Sequence, residues 1–334
     1  MSYDVTRDPH LATWRERIEL NIKLMRCPAC NRVGYKPYIH PDGTIVAEEC
    51  GKCDHESSCG YHIPPKEWFK EHSQDGDHTN PNYVPPPPPP AIKIDRNVAL
   101  QVYCLGPKAV RNPLLRYWTN LIRNVAPKHS DTATKYVERM KAALRQFMVG
   151  SLPGGYTVWW IVDETGSIRS GKCMKYRSDG HRDKEDKFGF RWMHRSPLVG
   201  QQKEGAEYVG CLFGLHQLKN NKDIKEVQIV ESEKTAVLMT MFKPTMTWMA
   251  TMGLGNLNQY RLAPLIDRGI HITCHPDIDG YGKWGDKVEQ LKHDCPEAKI
   301  TLSDYVKDHY YAIDSANTDI LDEFERDYIL LYSP

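Results

Sequence analysis

Short apolar runs alternate with helical segments through the last third of the chain, and this alternation constrains the fold most strongly. The apolar runs are Val227 to Val230, Thr247 to Ala250, Ile270 to Cys274 and Ile300 to Leu302. Helical spacing is found at Glu233 to Met241, Leu257 to Asp267 and Lys283 to His293. Strands and helices that alternate at this spacing form a parallel sheet with right-handed crossovers. The sequence therefore predicts an α/β fold for this part of the chain.

Acidic residues directly follow two of these predicted strands. Glu231 comes after the first strand, and Asp277 and Asp279 come after the third. Ligands bind beyond the carboxyl ends of parallel strands, so we expect the three carboxylates at one edge of the sheet. Carboxylate oxygens suit Mg²⁺ or Mn²⁺, and two such ions can hold the attacking and leaving oxygens of a phosphoryl transfer. The alternative is that Asp-x-Asp-Gly is an ordinary turn. We favour the metal site because Glu231 follows an earlier strand of the same repeating unit.

The segment at residues 95–222 has a different pattern. Helices are predicted at Pro113 to Val125 and Thr132 to Met148, followed by strands at Thr157 to Val162, Ile168 to Tyr176 and Phe188 to His194. The net charge of the chain is only +1, but nine Lys and Arg face two acidic residues between positions 108 and 145. Between positions 304 and 327, eight Asp and Glu face two basic residues. This asymmetry fits a nucleic-acid path beside a metal site, and solvated helix faces of opposite sign are the alternative.

Five of the ten cysteines lie between Cys27 and Cys59. Cys27 and Cys30 form one Cys-x-x-Cys pair, Cys50 and Cys53 form a second, and Cys59 is a fifth thiol. Four thiolates on two tight turns match the tetrahedral geometry of zinc, so residues 20–70 are predicted to form a zinc ribbon. A redox function is the alternative for Cys-x-x-Cys pairs, but no thioredoxin-like βαβ pattern surrounds them.

Six consecutive prolines, Pro85 to Pro90, end a polar tract at residues 71–94. Such a tract favours an extended polyproline II spacer. The charged N-terminus has no apolar stretch of signal-peptide length, and no run approaches the roughly 20 apolar residues of a membrane span. We therefore predict a cytoplasmic protein that does not contact a membrane.

Residues 226–302 resemble the Toprim domain of bacterial primases, type IA and II topoisomerases and recombination mediators. The Toprim motifs are a Glu after the first strand and an Asp-x-Asp after the third. Upstream, Cys211 to Lys219 is similar to the Leu-Tyr-Gly-Leu segment of bacterial primases, and Asp163 to Lys172 resembles their basic hairpin. The Val-Glu-Ser-Glu-Lys-Thr-Ala motif at Val230 to Ala236, with the zinc ribbon, is most similar to Toprim primase-like proteins of Bacteroidetes genomes and their mobile elements.

This resemblance implies a role for each candidate residue. Glu231 would be a metal-linked general acid or base, and Asp277 and Asp279 would bind magnesium. Lys234 would reach a phosphate, with an exposed helix lysine as the alternative. The residues implied to contact nucleic acid or nucleotide are Arg169, Lys172, Lys175, Arg177 and Lys219. The implied zinc ligands are Cys27, Cys30, Cys53 and Cys59, with Cys50 as the competing ligand. Asp319 and Asp322 resemble the acidic segment after the last Toprim strand, and helix N-capping is the preferred role for Asp319.

The predicted organisation is thus a zinc ribbon at 20–70, a proline-rich linker at 71–94, a basic α+β part of a primase-like core at 95–222 and a Toprim domain at 223–334. The leading functional hypothesis is a primase-like nucleotidyltransferase of the DNA-directed RNA polymerase type. It would use a single-stranded DNA template, nucleoside triphosphates, structural Zn²⁺ and catalytic Mg²⁺ or Mn²⁺, with a replicative helicase as a further candidate partner. The alternatives are a Toprim nuclease and a non-catalytic single-stranded-DNA-binding replication protein of a mobile element.

Overall fold

A computed structural model describes most of the chain. The described residues are 9–12, 14–22, 25–40, 42–54, 59–72, 91–103, 112–125, 131–200, 202, 206, 208–309 and 318–322. The chain divides into two compact units, Met1–Pro87 and Pro88–Pro334. The predicted proline-rich linker lies outside the described residues except at its two ends, 71–72 and 91–94. None of the helices in the described ranges has the length and apolar composition of a transmembrane segment.

The N-terminal unit contains a small antiparallel sheet in the order β1-β2-β3. Its strands are β1 (His10–Leu11), β2 (Tyr35–Ile39) and β3 (Gly51–Cys53), and its helices are α1 (Trp14–Glu19) and α2 (Pro65–His72). Alternate residues of β2 are buried, as expected for a strand with one covered face. Gly51 lies against Tyr35, and any side chain at this position would overlap the Tyr35 hydroxyl. The glycine therefore lets β3 approach β2 closely.

The C-terminal unit begins with helices that pack on an antiparallel sheet in the order β4-β5-β6-β7. The helices are α3 (Arg96–Gln101), α4 (Pro113–Val125) and α5 (Asp131–Gln146), and the strands are β4 (Gly150–Leu152), β5 (Tyr156–Val162), β6 (Ile168–Lys175) and β7 (Phe190–Trp192). The Asn112 carboxamide oxygen accepts hydrogen bonds from the first amides of α4, and its nitrogen donates to Ser151 and Thr157. This side chain therefore caps the helix and fixes its start on the sheet.

A second, parallel sheet follows in the order β11-β10-β8-β9. Its strands are β8 (Glu226–Val230), β9 (Trp248–Ala250), β10 (His271–His275) and β11 (Ile300–Leu302), and the helices of this part are α6 (Gln217–Asn220), α7 (Glu233–Phe242), α8 (Gln259–Ile266), α9 (Tyr281–Asp294) and α10 (Tyr305–His309). The predicted fold class is confirmed: an α/β parallel sheet follows an α+β region and a small N-terminal ribbon. The predicted element bounds are close to those observed. No helix end differs by more than two residues, and α5 stops at Gln146, before Met148, which adopts a positive φ of 50°.

One hydrophobic core connects the two sheets of the C-terminal unit. It includes Trp159 and Met174 from the antiparallel sheet and Ile229 from the parallel sheet. Helix α7 packs against β8, β9 and α5, and eight of its ten residues are buried, which is typical of a helix covered on all sides. Phe213 joins the edge of the parallel sheet through an antiparallel bridge to Ala250. The core therefore crosses the predicted domain boundary near residue 222 and holds the two sheets together.

Candidate functional site

The carboxyl edge of the parallel sheet carries a group of acidic side chains, which we call the acidic rim. Its members are Glu231, Asp277, Asp279, Asp319 and Asp322. The rim forms because β8 and β10 are parallel neighbours, with Val230 directly opposite His275. The residues that follow these two strands therefore leave the sheet side by side. Glu231 follows β8, and Asp277 follows β10 after a single proline.

Asp277 lies at the electrostatic centre of the acidic rim. Burial, together with the negative charges of the four other rim carboxylates, raises the pKa of Asp277 to about 9. The contribution of Asp319 follows that of burial in size. A carboxyl group surrounded in this way keeps its proton to a higher pH unless a cation offsets the nearby negative charge. The rim therefore has the electrostatics of a divalent-metal site.

The pKa of Glu231 is also raised, but less than that of Asp277. Burial and the charge of Asp279 raise the pKa of Glu231, whereas a hydrogen bond from the Leu254 amide and the charge of Lys172 lower it. Any side chain at Gly280 would lie 3.7 Å from Glu231 Oε2 and would collide with Leu254. The absence of a side chain at Gly280 thus leaves room beside the Glu231 carboxylate.

The rim carboxylates are electrostatically coupled without converging on a single point. Within the described part of the chain, the cysteine group described below is the one set of three or more metal-ligand side chains whose donor atoms all lie within 4.8 Å of one another. The donor type and the raised pKa values fit a hard divalent cation such as Mg²⁺, for which Glu231, Asp277 and Asp279 are the candidate ligands.

Asp319 and Asp322 also have a structural role. Asp319 Oδ1 accepts hydrogen bonds from the amides of Leu321 and Asp322, while Asp322 Oδ2 accepts one from the Asp319 amide. This reciprocal pattern is a capping box at the start of a helical turn. Asp319 Oδ2 also accepts a hydrogen bond of 2.6 Å from the Thr235 hydroxyl at the start of α7. Asp319 is therefore an N-cap, as preferred from the sequence, and it also adds negative charge to the rim.

Lys172 lies on β6 of the antiparallel sheet, and its positively charged side chain lies beside the rim. Its ammonium nitrogen lies 3.2 Å from Glu233 Oε1 and 3.5 Å from the Met252 carbonyl oxygen. The Glu233 side chain is only 3% exposed. Its Oε1 forms an ion pair with Lys172 but accepts no hydrogen bond of normal geometry. Sequence reasoning missed Glu233 because a glutamate in the first turn of a helix is usually a surface residue. Lys234 is half-buried and interacts electrostatically with Asp322, so it too lies beside the rim.

Three other candidate basic residues are engaged elsewhere on the antiparallel sheet and its loops. Arg169 forms an ion pair with the buried Asp163 at 2.6 Å, which fixes the turn between β5 and β6. Lys175 lies over the Tyr156 ring at 6.0 Å. Arg177 is exposed and pairs with Asp179 at 2.8 Å. None of these contacts involves a rim carboxylate.

Lys219 lies at the opposite end of the parallel sheet. It lines a cavity of about 590 Å³ together with Arg96 and Arg145. Ile224 and Thr247, which precede β8 and β9, line the same cavity. Lys219 is therefore at the amino ends of the strands, whereas the acidic rim is at their carboxyl ends.

The cysteine cluster of the N-terminal unit consists of Cys27, Cys30, Cys53 and Cys59. Their sulfur atoms all lie within 4.8 Å of one another. The Cys27 and Cys59 sulfurs are 4.0 Å apart, and those of Cys30 and Cys53 are 3.8 Å apart. Four sulfurs bound at about 2.3 Å from a tetrahedral zinc ion are separated by roughly 3.8 Å. The cluster therefore fits a structural zinc ion.

Cys27 and Cys50 differ in their local environments. Burial alone would raise the pKa of Cys27, but hydrogen bonds from the amides of Cys30 and Ala29 lower it overall. Burial raises the pKa of Cys50 to about 11, and its sulfur lies outside the four-cysteine cluster. A thiolate is the form that binds zinc. The environment thus favours metal binding at Cys27 and disfavours it at Cys50.

The raised pKa of Asp277 predicts a pH-dependent stability of the protein without added Mg²⁺. An unfolded Asp loses its proton near pH 4, whereas folded Asp277 retains its proton up to about pH 9. The folded state binds more protons across this interval, so stability falls as pH rises through it. In magnesium-free buffer we expect the melting temperature of the wild type to fall more steeply from about pH 6 to about pH 9 than that of Asp277→Asn. Melting curves that depend identically on pH in the two proteins would contradict this expectation.

Two families match parts of the chain. Residues 17–74 match a zinc β-ribbon finger, and residues 120–278 match a domain of unknown function, DUF6371. No curated protein matches the chain. The first match includes all four residues of the cysteine cluster. The predicted N-terminal zinc ribbon and its structural zinc are therefore supported by both the family match and the sulfur geometry.

The chain is also similar to several solved primase structures. The primase fragment of the bacteriophage T7 primase-helicase protein is 17% identical, with 57% of this chain and 70% of that chain covered and a TM-score of 0.37. The DnaG primase catalytic domain bound to single-stranded DNA is 12% identical, with 64% and 77% covered and a TM-score of 0.36. The Aquifex aeolicus primase, with its zinc-binding and RNA polymerase domains, is 13% identical, with 99% and 86% covered and a TM-score of 0.37.

Proposed function

We propose that this protein is a primase-like nucleotidyltransferase, which joins nucleotides on a single-stranded DNA template at the acidic rim. The observation that carries the proposal is the position of Asp277. It follows a parallel strand and is surrounded by four other carboxylates that raise its pKa. Such a concentration of negative charge at the carboxyl edge of a parallel sheet needs a cation, and it supplies the oxygen ligands that magnesium takes in phosphoryl-transfer sites.

Each rim residue has a role in this proposal. Asp277 and Asp279 would hold the cation, and Glu231 would hold or transfer a proton at the reacting oxygen. Bound Mg²⁺ would neutralise charge on the transferred phosphate and position the attacking and leaving oxygens. Lys172 contributes a positive charge beside the rim, where a triphosphate would lie. Lys234 is a second candidate for a phosphate contact because it lies near Asp322.

The sequence resemblance selects primer synthesis among the reactions that such a site can perform. The Leu212 to Leu215 segment and the motif around Glu231 resemble those of Toprim primases more than those of topoisomerases. The zinc ribbon would contact the template, and a cytoplasmic replicative helicase is the proposed protein partner. Arg169, Lys175, Arg177 and Lys219 stay candidates for contacts with nucleic acid outside the rim.

A nucleotide-incorporation assay tests this proposal. The full chain is incubated with a single-stranded DNA of mixed sequence, the four ribonucleoside triphosphates and Mg²⁺, and the products are separated on a denaturing gel. We expect short new oligonucleotides whose formation requires template, nucleotides and metal. Parallel reactions use an end-labelled strand without nucleotides. Shortening of that strand without synthesis would identify a nuclease, and binding without any turnover would leave only a DNA-binding role; either result refutes primer synthesis.

A further inference from the structure

Two phenylalanine rings are exposed at the edge of the antiparallel sheet. Phe188 is 52% exposed and lies just before β7, and Phe190 is 44% exposed and begins that strand. Both rings have positively charged side chains beside them. An exposed aromatic ring between cations is complementary to single-stranded nucleic acid, which offers flat apolar bases on a chain of negative charges.

Phe190 lies on the face of the sheet that is turned towards the acidic rim. In the antiparallel pairing of β6 with β7, Phe190 is opposite Met174 and Trp192 is opposite Lys172. These four residues share one face because alternate residues of a strand point to the same side. Met174 packs in the core that includes the parallel sheet, and Lys172 contacts Glu233 and interacts electrostatically with the rim carboxylate Glu231.

Two cations lie near the Phe190 ring. The Lys172 ammonium and the Arg182 guanidinium carbon are each 5.8 Å from the ring centroid, within the range of a cation–π contact. The Trp192 ring meets Phe190 edge to face at 5.6 Å and supports its orientation. Next to Arg182, His181 interacts electrostatically with the rim carboxylate Asp322. The surface around Phe190 is therefore continuous with the acidic rim.

The Phe188 ring also has two cations beside it, but it lies on a different surface from Phe190. Its ring is 4.9 Å from the Lys187 ammonium and 5.0 Å from the Arg191 guanidinium carbon. Arg191 also lies 4.6 Å from the Tyr156 ring and is opposite Cys173 in the sheet pairing. Because Arg191 and Phe190 are consecutive in a strand, they point to opposite faces. Because the Phe188 ring contacts Arg191, it lies at the face of the sheet turned away from the rim.

We propose that Phe190 is a stacking site for an unpaired base of the DNA strand that reaches the acidic rim, with Lys172 and Arg182 attracting the flanking phosphates. This inference rests on the proposed function and adds to it a specific contact outside the metal site. The occupant is a single-stranded nucleic acid because the site combines a ring for base stacking with cations for phosphates. An acidic peptide would use the cations but would not require the ring.

The test compares binding of a strand that has bases with binding of a strand that lacks them. Fluorescence anisotropy in magnesium-free buffer measures the affinity of the full chain for an oligothymidylate and for an abasic strand of equal length and charge. We expect wild type to bind the oligothymidylate more tightly, and Phe190→Leu to weaken that binding by about 5- to 100-fold while leaving the abasic affinity unchanged. Phe190→Trp should retain the preference, and Phe188→Leu, the matched control, should behave as wild type.

The outcomes separate this inference from the proposed function. If Phe190→Leu keeps the full preference for bases, if Phe188→Leu loses it equally, or if wild type shows no preference, the stacking site is refuted. The binding assay requires no turnover, so a base preference that depends on Phe190 supports the stacking site even where nucleotide incorporation fails. Conversely, template-dependent synthesis by a protein without this preference would support the proposed function and refute the stacking site.

Discussion

Replacing Asp277 with asparagine should reduce template-dependent nucleotide incorporation by more than about 100-fold, because loss even of a residue that only supports a metal ligand commonly costs 10- to 100-fold. Asparagine has nearly the same shape as aspartic acid and stays neutral. It therefore removes the charge that would hold the cation without creating a cavity. Burial and neighbouring carboxylates raise the pKa of Asp277, so a neutral side chain suits this position and the substitution should not destabilise the magnesium-free fold.

The matched control for this prediction is Asp267→Asn. Asp267 is exposed at the carboxyl end of α8 and precedes β10, whereas Asp277 follows that strand, and its replacement changes the formal charge by the same amount. We expect near wild-type incorporation by the control, and folding of both variants is checked by circular dichroism and thermal melting. Incorporation by Asp277→Asn within a few-fold of the wild type would show that this carboxylate does not hold the catalytic metal.

The sequence was sufficient to predict the parallel sheet and the position of its acidic residues. The strand and helix alternation in residues 226–302 has a local physical cause, the burial of short apolar runs between amphipathic helices. Once the strands are parallel neighbours, the residues that follow them must leave the sheet at one edge. For this reason the sequence alone predicts that Glu231 and Asp277 lie at the same edge. Helix α4 was predicted with its observed bounds from the helical spacing of its apolar residues, and Pro113 occupies its first position, where proline is tolerated.

The contacts of the basic residues were harder to anticipate. Whether a lysine on a strand reaches the rim depends on which elements pack against that face, and periodicity does not encode this. Lys172 reaches Glu233, 61 positions later in the chain, whereas Arg169 turns to Asp163 within the same hairpin. Lys219 is the last residue of a segment that resembles part of bacterial primases, yet it lies at the amino ends of the parallel strands.

The hydrogen bond from Thr235 to Asp319 is another contact that local sequence patterns could not predict. It joins residues 84 positions apart and brings the capping box at Asp319 and Asp322 to the start of α7. The sequence identified Asp319 as a capping residue because that role depends only on nearby amides. Its second role, adding charge next to Asp277, arises from tertiary packing alone.

Replacing Cys53 with serine should remove the zinc ion and destabilise the zinc ribbon. A structural zinc ion contributes on the order of 10 kcal/mol to the folding of a small domain, because the unfolded chain has no preformed site. Among the described residues of the N-terminal unit, Tyr35 is the one buried non-cysteine residue of the core around the cysteine cluster, so little else there can replace the metal. We expect Cys53→Ser to lose bound zinc and to make the segment around residues 20–70 sensitive to proteolysis.

Cys50→Ser is the control that distinguishes a zinc ligand from a buried thiol. Both thiols are fully buried and only three positions apart, yet the Cys50 sulfur lies outside the cluster and burial raises the pKa of its thiol. Zinc content measured by atomic absorption should fall from about one ion per chain to near zero in Cys53→Ser and stay near one in Cys50→Ser. Loss of zinc from Cys50→Ser, together with retention by a Cys59→Ser variant, would instead assign the fourth ligand to Cys50. The four-sulfur geometry opposes that result, because Cys27 and Cys59 are already at the separation that a shared tetrahedral zinc ion requires.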